Sequence, residues 1–314
     1  MIPTQLTGLK SAVRGEVLFG EMMSQHTSYA VGGPADAFVT PEDIDDVLNV
    51  YDYSAKMHVP VLVVGGGTNL LVGDLGVRGI VLHISKGLDQ IVWENDSVVV
   101  GGGAVLSNLV SEAVKRSLSG LEYCTGIPGT VGGAVAMNAG TSAKYISRTV
   151  TEVGYIMQTG ERMNLTHEQM HFDYRSSVVL RSGGLVEWVR FDLKPAMQEA
   201  LSSNVAKIKE YRQKSQPWGF PNAGCVFRNP PAAFAGQLIE ESGFKGQRVG
   251  GIEVSNIHAN FLVNVGNATP VDVMSMMENI FNAIYDRYNV YLKPEVRIVG
   301  DWSIKLPGWA WSLS

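Results

Sequence analysis

The stretch GIPGTVGGAVAMNAG, residues 126–140, places five glycines, one proline and the polar side chains of Thr130 and Asn138 within 15 residues. Glycine leaves the backbone exposed and allows positive φ angles, so this density exceeds the need of a single turn. Exposed backbone N–H groups bind phosphate well. The stretch therefore predicts a loop for a long anionic ligand such as a dinucleotide, and a fold that presents that loop.

Two shorter glycine clusters lie upstream, VVGGGTNLLV at residues 63–72 and GGGAVL at residues 101–106. Glycine makes up 35 of the 314 residues, about 11%, against an average near ~7%. Neither cluster has the third glycine of the dinucleotide fingerprint, and the sequence contains no GxxxxGK(S/T) phosphate loop. Each triplet alone is compatible with either a tight structural turn or a ligand loop.

The composition favours a globular protein with a small-molecule partner. Hydrophobic residues make up 45% of the chain and charged residues 18%, and the net charge of −5 offers no basic footprint for nucleic acid. No apolar run approaches the ~18 residues of a membrane helix, and the first residues lack the apolar core of a signal peptide. Two cysteines without metal-ligand spacing predict a reducing cytoplasm and neither a disulfide scaffold nor a metal site.

The character of the sequence changes near residue 193. The first part alternates a helix, PEDIDDVLNVYDYSAK (residues 41–56), with the short buried strands VPVLVV and GIVLHI. From residue 90 to 193, one helix (VLSNLVSEAVKRSL) accompanies three segments that resemble paired strands. These segments are IVWENDSVVVGGG, TEVGYIMQTGERMNL and SSVVLRSGGLVEWVRFDL.

Two helices are predicted beyond Pro195. A stripe at helical spacing marks the first: Leu201, Val205, Ile208 and Tyr211. The second begins at Pro270 and ends near Tyr288, because Thr269 is a suitable N-cap and Asp272 completes a capping box.

The motif HEQMH, residues 167–171, matches the zinc-binding pattern HExxH. On a helix, that pattern presents two imidazoles on one face, with the glutamate as a base. Here the segment is short and lies between predicted strands, and Thr166 with Gln169 forms a capping box. We interpret it as a short solvated helix, and we interpret the remaining histidines as too scattered for a metal site.

Three residues have side chains suited to catalysis, and each has a structural alternative. Arg175, in DYRSS, is suited to binding a carboxylate, or forms a surface ion pair. Glu295, in KPEVRIVG, is suited to proton transfer if partly buried, or pairs with Arg297 at a strand edge. Cys225, in NAGCVFRNP, is either a proton donor or nucleophile, or a small buried side chain.

Seven blocks in order resemble the UDP-N-acetylenolpyruvoylglucosamine reductase family, the MurB flavoenzymes of bacterial peptidoglycan synthesis. They cover the chain from about residue 20 to 300, and their convergence is more specific than any single motif. The blocks are TSYAVGGPADAFV, PVLVVGGGTNLLV, GIPGTVGGAVAMNAG, YRSS, NAGCVFRNP, AGQLIEESGFKGQRVGGIEVSNIHANFLVN and KPEVRIVG.

The resemblance implies an α+β protein with a two-subdomain FAD-binding unit of the vanillyl-alcohol oxidase type and a separate α+β substrate-binding domain. The implied limits are residues 1–84 and 85–193 for the two FAD-binding subdomains and 194–302 for the substrate-binding domain. A tail at residues 303–314 lies beyond the resemblance. A monomer in the bacterial cytoplasm is expected.

The resemblance also implies roles for individual residues. Arg175, Cys225 and Glu295 match the catalytic arginine, the proton donor and the catalytic glutamate. Substrate-binding positions are Arg228, Asn229, His258 and Asn260. The FAD-binding positions are Gly65, Gly66, Gly67, Thr68, Asn69, Leu70, Leu71, Pro128, Gly129, Thr130, Gly132, Gly133, Asn138, Ala139 and Gly140.

The implied reaction passes a hydride from NADPH to FAD and then to the vinyl carbon of the enolpyruvyl ether of UDP-N-acetylglucosamine, forming UDP-N-acetylmuramate. Arg175 and a protonated Glu295 would stabilise the resulting enolate, and Cys225 would protonate it. The family more often has serine at this position, but a thiol, with an ordinary pKa near ~8.5, is a far stronger acid than a hydroxyl. The spacing of 50 residues from Arg175 to Cys225 resembles the shorter family form, which lacks an inserted tyrosine loop.

Three other functions remain as alternatives at the level of sequence. They are an FAD-linked oxidase of a small alcohol, a zinc peptidase built on His167, Glu168 and His171, and a flavin-storing or flavin-sensing protein without turnover. The oxidase is the principal competitor among flavoproteins. A purified protein that is yellow and free of zinc would separate the flavoproteins from the peptidase.

Overall fold

The computed structural model describes residues 3–141 and 144–311, which contain eight α-helices. The helices are α1 (Leu9–Ala12), α2 (Ile44–Met57), α3 (Leu106–Lys115), α4 (Val131–Ala136), α5 (Val178–Ser182), α6 (Gln198–Ser215), α7 (Ala235–Glu241) and α8 (Pro270–Tyr288). Short 3-10 helices span Thr4–Leu6, Met23–Gln25, Glu122–Cys124, Ile146–Arg148 and Gly308–Trp311.

Helix α8 is confirmed with its predicted cap. Thr269 accepts a hydrogen bond from the Asp272 N–H, the Asp272 carboxylate accepts one from the Thr269 N–H, and Asn289 ends the helix with φ 55°. Helix α2 begins after Asp43, whose side chain accepts hydrogen bonds from two backbone N–H groups of the first turn. The two ends of helix α8 and the start of helix α2 follow the usual capping preferences, so the sequence alone located these helices.

The strands form one larger antiparallel sheet and several small ones. Their bounds are β1 (Glu16–Met22), β2 (Pro34–Thr40), β3 (Val61–Val64), β4 (Leu70–Val72), β5 (Val77–His83), β6 (Ile91–Glu94), β7 (Ser97–Gly101), β8 (Leu118–Ser119), β9 (Gly140–Thr141), β10 (Lys144–Tyr145), β11 (Val150–Ile156), β12 (Arg162–Thr166), β13 (Leu185–Asp192), β14 (Lys194–Pro195), β15 (Arg248–Val249), β16 (Ile252–Val254), β17 (Leu262–Asn264) and β18 (Arg297–Val299). The strand orders are β12-β11-β13-β7-β6, β1-β2-β5-β3, β15-β16-β17 and three two-stranded pairs, β10-β9, β14-β8 and β18-β4.

The chain forms two compact units. The first comprises the described residues 3–19, 37–66, 79–141 and 144–212. Its antiparallel sheet pairs β11 with β12 and β13, and β7 with β13 and β6. One core lies around this sheet and helix α3, and a second core lies around helix α2 and the parallel strands β3 and β5.

The second unit comprises residues 20–36, 67–78 and 213–311. Its core surrounds helix α8, whose buried side chains include four methionine and isoleucine residues in its middle turns: Met274, Met276, Met277 and Ile280. The predicted tail contributes to this core, since Leu306, Trp309 and Ala310 are buried and the Trp309 ring stacks on Phe281 with centroids 5.0 Å apart. Residues 312–314 of that tail lie outside the described residues.

The predicted hairpin at residues 176–193 is wrong in its first half. The structure has helix α5 there, followed by strand β13. Ser177 begins the helix by accepting a hydrogen bond from the Leu180 N–H at 3.4 Å, and its own hydroxyl donates to the Ala136 carbonyl at 2.7 Å. Gly183, with φ 74°, ends it. The cap and this tertiary hydrogen bond therefore outweigh the strand preference of the two valines.

The helix predicted at HEQMH is also wrong, because residues 167–171 form a turn. The predicted capping contacts are present, since the Gln169 side chain accepts from the Thr166 N–H and the Thr166 hydroxyl accepts from the Gln169 N–H. However, His171 has φ 43°, outside the helical region. The two exposed histidines therefore lack the helical arrangement of a zinc site, and the described residues contain no cluster of three His, Cys, Asp or Glu side chains suited to a metal.

The helix predicted after Pro195 is confirmed as α6, but its buried face differs at the end. Tyr211 is 71% exposed, whereas its neighbour Arg212 is 7% exposed. The Arg212 guanidinium donates a hydrogen bond to the Gly126 carbonyl at 3.3 Å, which satisfies part of its buried charge. Across residues 3–141 and 144–311, the helices are all too short or too polar to span a membrane.

Candidate active site

Two glycine-rich segments meet in the first unit. Gly65 follows strand β3, and a Cβ atom placed on it would lie 2.3 Å from the Thr130 hydroxyl oxygen. Thr130 is the N-cap of helix α4, and its hydroxyl accepts a hydrogen bond from the Gly133 N–H at 3.3 Å. The close approach requires glycine at residue 65, so the two segments predicted to bind flavin are brought together at this point.

The second glycine triplet supports the third cluster. The Gly132 N–H donates to the Gly102 carbonyl and the Val131 N–H donates to the Ala104 carbonyl, both at 2.8 Å. A Cβ atom on Gly102 would lie 2.0 Å from the Val186 carbonyl oxygen, and one on Gly103 would lie 2.2 Å from the Ser85 carbonyl oxygen. Of the two interpretations left open for this triplet, the tight structural one describes it, since backbone carbonyls already fill the space at these glycines.

The far end of the 126–140 stretch is attached to the loop that carries Arg175. Asn138 is 3% exposed and has φ 43°; its side-chain amide donates to the Asp173 carbonyl at 2.9 Å. Its side-chain oxygen accepts from the Ser147 N–H at 3.3 Å. Asn138 therefore holds the stretch by its side chain, and an asparagine tolerates positive φ better than most residues.

Arg175 lies at the tip of a narrow turn. Asp173 and Ser176 exchange backbone hydrogen bonds at 3.0 and 3.1 Å, and Arg175 between them has φ 54°. Its guanidinium carbon lies 5.4 Å from the centroid of the Tyr174 ring. A non-glycine residue at positive φ is uncommon and is found more often at functional sites. The turn thus fixes the arginine backbone in a conformation that the isolated chain would rarely adopt.

Cys225 lies in the second unit, on an extended stretch held by Asn260. Cys225 forms a β-bridge with Phe261, and the Val226 N–H donates to the Asn260 carbonyl at 2.9 Å. The Asn260 side chain, 2% exposed, accepts from the Phe227 N–H at 3.0 Å and donates to the Phe227 carbonyl at 2.8 Å. Both ends of this amide are therefore used to position the stretch that carries the half-buried Cys225.

Residues 293–297 connect the Cys225 stretch with the predicted flavin segment. The Glu295 N–H donates to the Val226 carbonyl at 2.8 Å, so Glu295 is paired next to Cys225 along the chain. The Asn69 side-chain amide donates to the Glu295 carbonyl at 3.0 Å, and the Asn69 carbonyl accepts from the Arg297 N–H at 2.9 Å. Strand β18 then continues parallel to β4. These hydrogen bonds fix the backbone of Glu295 relative to both the Cys225 stretch and Asn69.

The remaining predicted substrate positions surround the same stretch. The Arg228 N–H donates to the Lys293 carbonyl at 2.8 Å, and the Asn229 side chain accepts from the Ala235 N–H at 3.0 Å. His258 packs on Phe261 with ring centroids 4.9 Å apart, and its Nδ1 accepts from the Asn260 N–H at 3.2 Å. Burial is the main cause that lowers the pKa of His258, so the neutral imidazole is favoured.

The structure thus brings together Cys225, Glu295, Arg228, Asn229, His258 and Asn260, with Gly67 to Leu71, in the second unit. The first unit contains Arg175, Gly65, Gly66 and the stretch from Pro128 to Gly140.

The sequence alternative in which Glu295 pairs with Arg297 is wrong, since among residues 3–141 and 144–311 no ion pair to Arg297 occurs. The sequence predicts Arg297 only as a partner of Glu295, although a charged residue between Val296 and Ile298 in an apolar strand is itself a signal of a further role.

Two family models match the chain. Residues 35–166 match the FAD binding domain, and residues 216–299 match the C-terminal domain of UDP-N-acetylenolpyruvoylglucosamine reductase. The chain therefore carries an FAD-binding domain followed by a second domain, and the predicted fold class is confirmed. The predicted limits at residues 84, 193 and 302 and the individual site residues stay predictions.

Whole-chain relatives agree with both matches. The UDP-N-acetylenolpyruvoylglucosamine reductase of Anoxybacillus flavithermus is 42% identical over 287 residues, 91% of this chain and 95% of the relative. That of Bacillus subtilis is 40% identical over 294 residues, 93% of this chain and 97% of the relative. The crystal structure of the Thermus caldophilus enzyme (MurB) is 34% identical and superposes with a TM-score of 0.78, covering 91% of this chain and 98% of that one. By sequence, domain content and fold, the chain belongs to the UDP-N-acetylenolpyruvoylglucosamine reductase family.

Proposed function

We propose that this protein reduces the enolpyruvyl ether of UDP-N-acetylglucosamine to UDP-N-acetylmuramate in peptidoglycan synthesis, with NADPH as the reductant and FAD as the cofactor. The relatives that match over more than nine-tenths of the chain carry the name of this reductase. The observation that carries the proposal is the pairing of residues 293–297 with both the Cys225 stretch and Asn69. The alternative, an oxidase of a small alcohol, is weaker because these full-length relatives are named reductases.

The residues proposed to hold FAD fit a ligand that requires close backbone approach. Gly65 and Thr130 meet without room for a side chain, and Gly129 and Gly67 have φ angles of 105° and 61° that favour glycine. We assign FAD binding to Gly65–Leu71 and to the predicted positions between Pro128 and Gly140. In this set, Asn138 acts by holding the segment, because both ends of its amide are bonded within the protein. The chemistry that FAD supplies when bound is hydride transfer, from NADPH and then to the terminal vinyl carbon.

Cys225 is assigned the proton that completes the reduction. Hydride addition at the terminal carbon leaves negative charge on the neighbouring carbon and its carboxylate, and a new C–H bond must form there. The S–H bond of Cys225 supplies that proton, and the resulting thiolate is reprotonated from solvent. The half-buried thiol and its fixed backbone keep the donor in place between turnovers.

We assign to Arg175 and Glu295 the stabilisation of the negative charge of the enolate. The guanidinium of Arg175 stays positive at any physiological pH, and it offers planar donors that match a carboxylate. Glu295 is assigned a contact with the same developing charge. Interactions that strengthen as the charge forms are the ones that accelerate the chemical step.

Arg228, Asn229 and His258 are assigned to substrate contacts, and Asn260 to positioning. Asn260 acts through Phe227, since its amide is bonded to both backbone groups of that residue. The neutral His258, favoured by burial, is suited to a hydrogen bond with an uncharged sugar or amide group. We further propose that the protein acts as a monomer in the bacterial cytoplasm, without nucleic acid or membrane partners.

An anaerobic half-reaction experiment tests the proposed function. NADPH should bleach the visible absorbance of the bound flavin, and the enolpyruvyl sugar nucleotide should restore it, leaving UDP-N-acetylmuramate as the product. Air without the sugar nucleotide is the control and should restore the colour slowly. Rapid reoxidation by air together with none by the sugar nucleotide would favour the oxidase and overturn the proposal.

A further inference from the structure

We propose that Arg297 binds an anionic oxygen group, a carboxylate or a phosphate, of a ligand in the reaction. This inference rests on the proposed function. Arg297 lies at the start of β18, opposite Leu70 in β4. Its backbone is bonded to Asn69, and Asn69 also holds Glu295, so the residue lies beside both the predicted flavin segment and a predicted catalytic residue.

The guanidinium of Arg297 is half-buried, and no carboxylate of the described residues pairs with it. Within residues 3–141 and 144–311, it forms no ion pair and no side-chain hydrogen bond. Arg212, which is 7% exposed, differs, because its guanidinium donates to the Gly126 carbonyl. The arginines that do form ion pairs are mostly exposed, as Arg78 with Asp36 and Arg248 with Glu253 illustrate.

Burial is the cause that lowers the pKa of Arg297. A cation removed from water without a partner reduces the stability of the folded chain. Folded proteins keep such an unfavourable buried charge where it serves a function, most commonly the binding of a ligand. Because part of the residue still reaches solvent, an anion can approach the guanidinium from outside the packed core.

The geometry of arginine narrows the class of ligand. Its five N–H donors form a planar fork that matches the paired oxygens of a carboxylate or a phosphate. The substrate, FAD and NADPH all carry phosphates, but two anionic groups belong beside the neighbours of Arg297 in the proposed function. They are the enolpyruvyl carboxylate, assigned to Glu295, and the diphosphate of FAD, assigned to the segment that contains Asn69. The chemistry is shared, and binding measurements on each ligand distinguish the source.

The test replaces Arg297 with methionine, which retains the length and apolar stem of the side chain but removes the charge. If the anion is the substrate carboxylate, KM for the sugar nucleotide should rise about 10- to 100-fold, while FAD affinity and bleaching by NADPH stay unchanged. If the anion is the FAD phosphate, the dissociation constant of FAD, measured by flavin fluorescence on the FAD-free full chain, should rise by a similar factor. Either result supports the proposal.

Thermal unfolding supplies a readout that does not depend on activity. Measured without added FAD or substrate, the Arg297→Met midpoint should equal or exceed that of the parent, because a desolvated unpaired charge has been removed. Loss of stability in that state would assign Arg297 a structural role and overturn the proposal. Binding of both ligands within twofold of the parent would overturn it as well.

Arg287→Met is the matched control, since it removes the same charge from the same unit. Arg287 is exposed and donates to the Glu241 carbonyl. This variant should leave both affinities unchanged. If the parent protein itself is not reoxidised by the sugar nucleotide, the proposed function fails; if the parent reacts and Arg297→Met behaves like it, only the inference about Arg297 fails.

Discussion

Cys124 and Cys225 are the two cysteines of the chain, and their surroundings differ. Cys124 ends a 3-10 helix inside the core of the first unit and is 0% exposed. Cys225 is half-buried, follows Gly224 at φ 76°, and lies on the stretch paired with Glu295. The small-hydrophobe interpretation considered for Cys225 therefore describes Cys124.

The consequence of this difference is chemical. Burial raises the pKa of the Cys124 thiol to about 12, so at neutral pH its thiolate fraction is on the order of one in 10⁵. A thiol in that state neither reacts nor exchanges its proton readily. Packing thus decides which of two identical residues is available for chemistry, and variants of both cysteines test this conclusion.

Cys225→Ala should have the largest effect. Loss of a positioned general acid typically slows a proton-dependent step by ~10²- to 10⁴-fold, roughly 3 to 5 kcal/mol. Flavin reoxidation by the sugar nucleotide should slow by that factor, whereas bleaching by NADPH should not change, as stopped-flow absorbance can record. Cys225→Ser should recover a substantial part of the rate. Normal reoxidation in the alanine variant would return Cys225 to the packing role of Cys124.

Arg175→Met extends the comparison to the charge that Cys225 is proposed to protonate. Removing a fixed donor to a developing oxyanion costs about 10²- to 10³-fold in similar sites. The variant should bind FAD and be bleached by NADPH as the parent is, and reoxidation alone should slow. A stopped-flow trace that matches the parent in both half-reactions would remove Arg175 from the mechanism.

Cys124→Ala should change stability and not catalysis. The lost packing should cost about 1 to 2 kcal/mol in the free energy of unfolding, measured in urea at neutral pH. Both half-reactions should match those of the parent. Iodoacetamide should label Cys225 in the folded parent and leave Cys124 unmodified; the reverse pattern would contradict the comparison.

The same variant carries a pH signature with a definite sign. Burial keeps the folded-state pKa of Cys124 above its ordinary value, so the folded state binds the proton more tightly than the unfolded state. The stabilising contribution is complete below about pH 8.5 and decreases as the pH rises toward about 12. Parent and Cys124→Ala stabilities should therefore converge in alkaline solution. A constant difference across that range would show that the thiol ionises to the same extent in the folded and the unfolded state.

His167→Ala combined with His171→Ala should have the smallest effect. Both side chains are exposed on a turn, and they belong to no metal-binding cluster among the described residues. Flavin content and turnover should stay within a few-fold of the parent. Joint loss of a bound metal and of activity, measured by elemental analysis and a turnover assay, would reverse this interpretation.

Several features of the fold were predictable because their causes are local. The Thr269 and Asp272 capping box begins helix α8 where the sequence predicts it, since both partners lie within one turn. Helix α5 was not predictable in this way, because the hydroxyl of its N-cap Ser177 is held by a hydrogen bond to the carbonyl of Ala136, 41 residues away. Local propensity then favoured the wrong element.

The candidate site divides along the same line. The glycines of residues 126–140, the order of the seven sequence blocks and the identity of the titratable side chains are properties of the chain alone, and they were sufficient to indicate the family and its flavin chemistry. Contacts between distant segments decide which glycine triplet is structural and which cysteine is buried. They also decide that Asn69 bonds to both Glu295 and Arg297, and that Arg297 has no anionic partner within residues 3–141 and 144–311. Burial, pKa and hydrogen-bond satisfaction depend on what surrounds a group in space, and only the tertiary structure determines those surroundings.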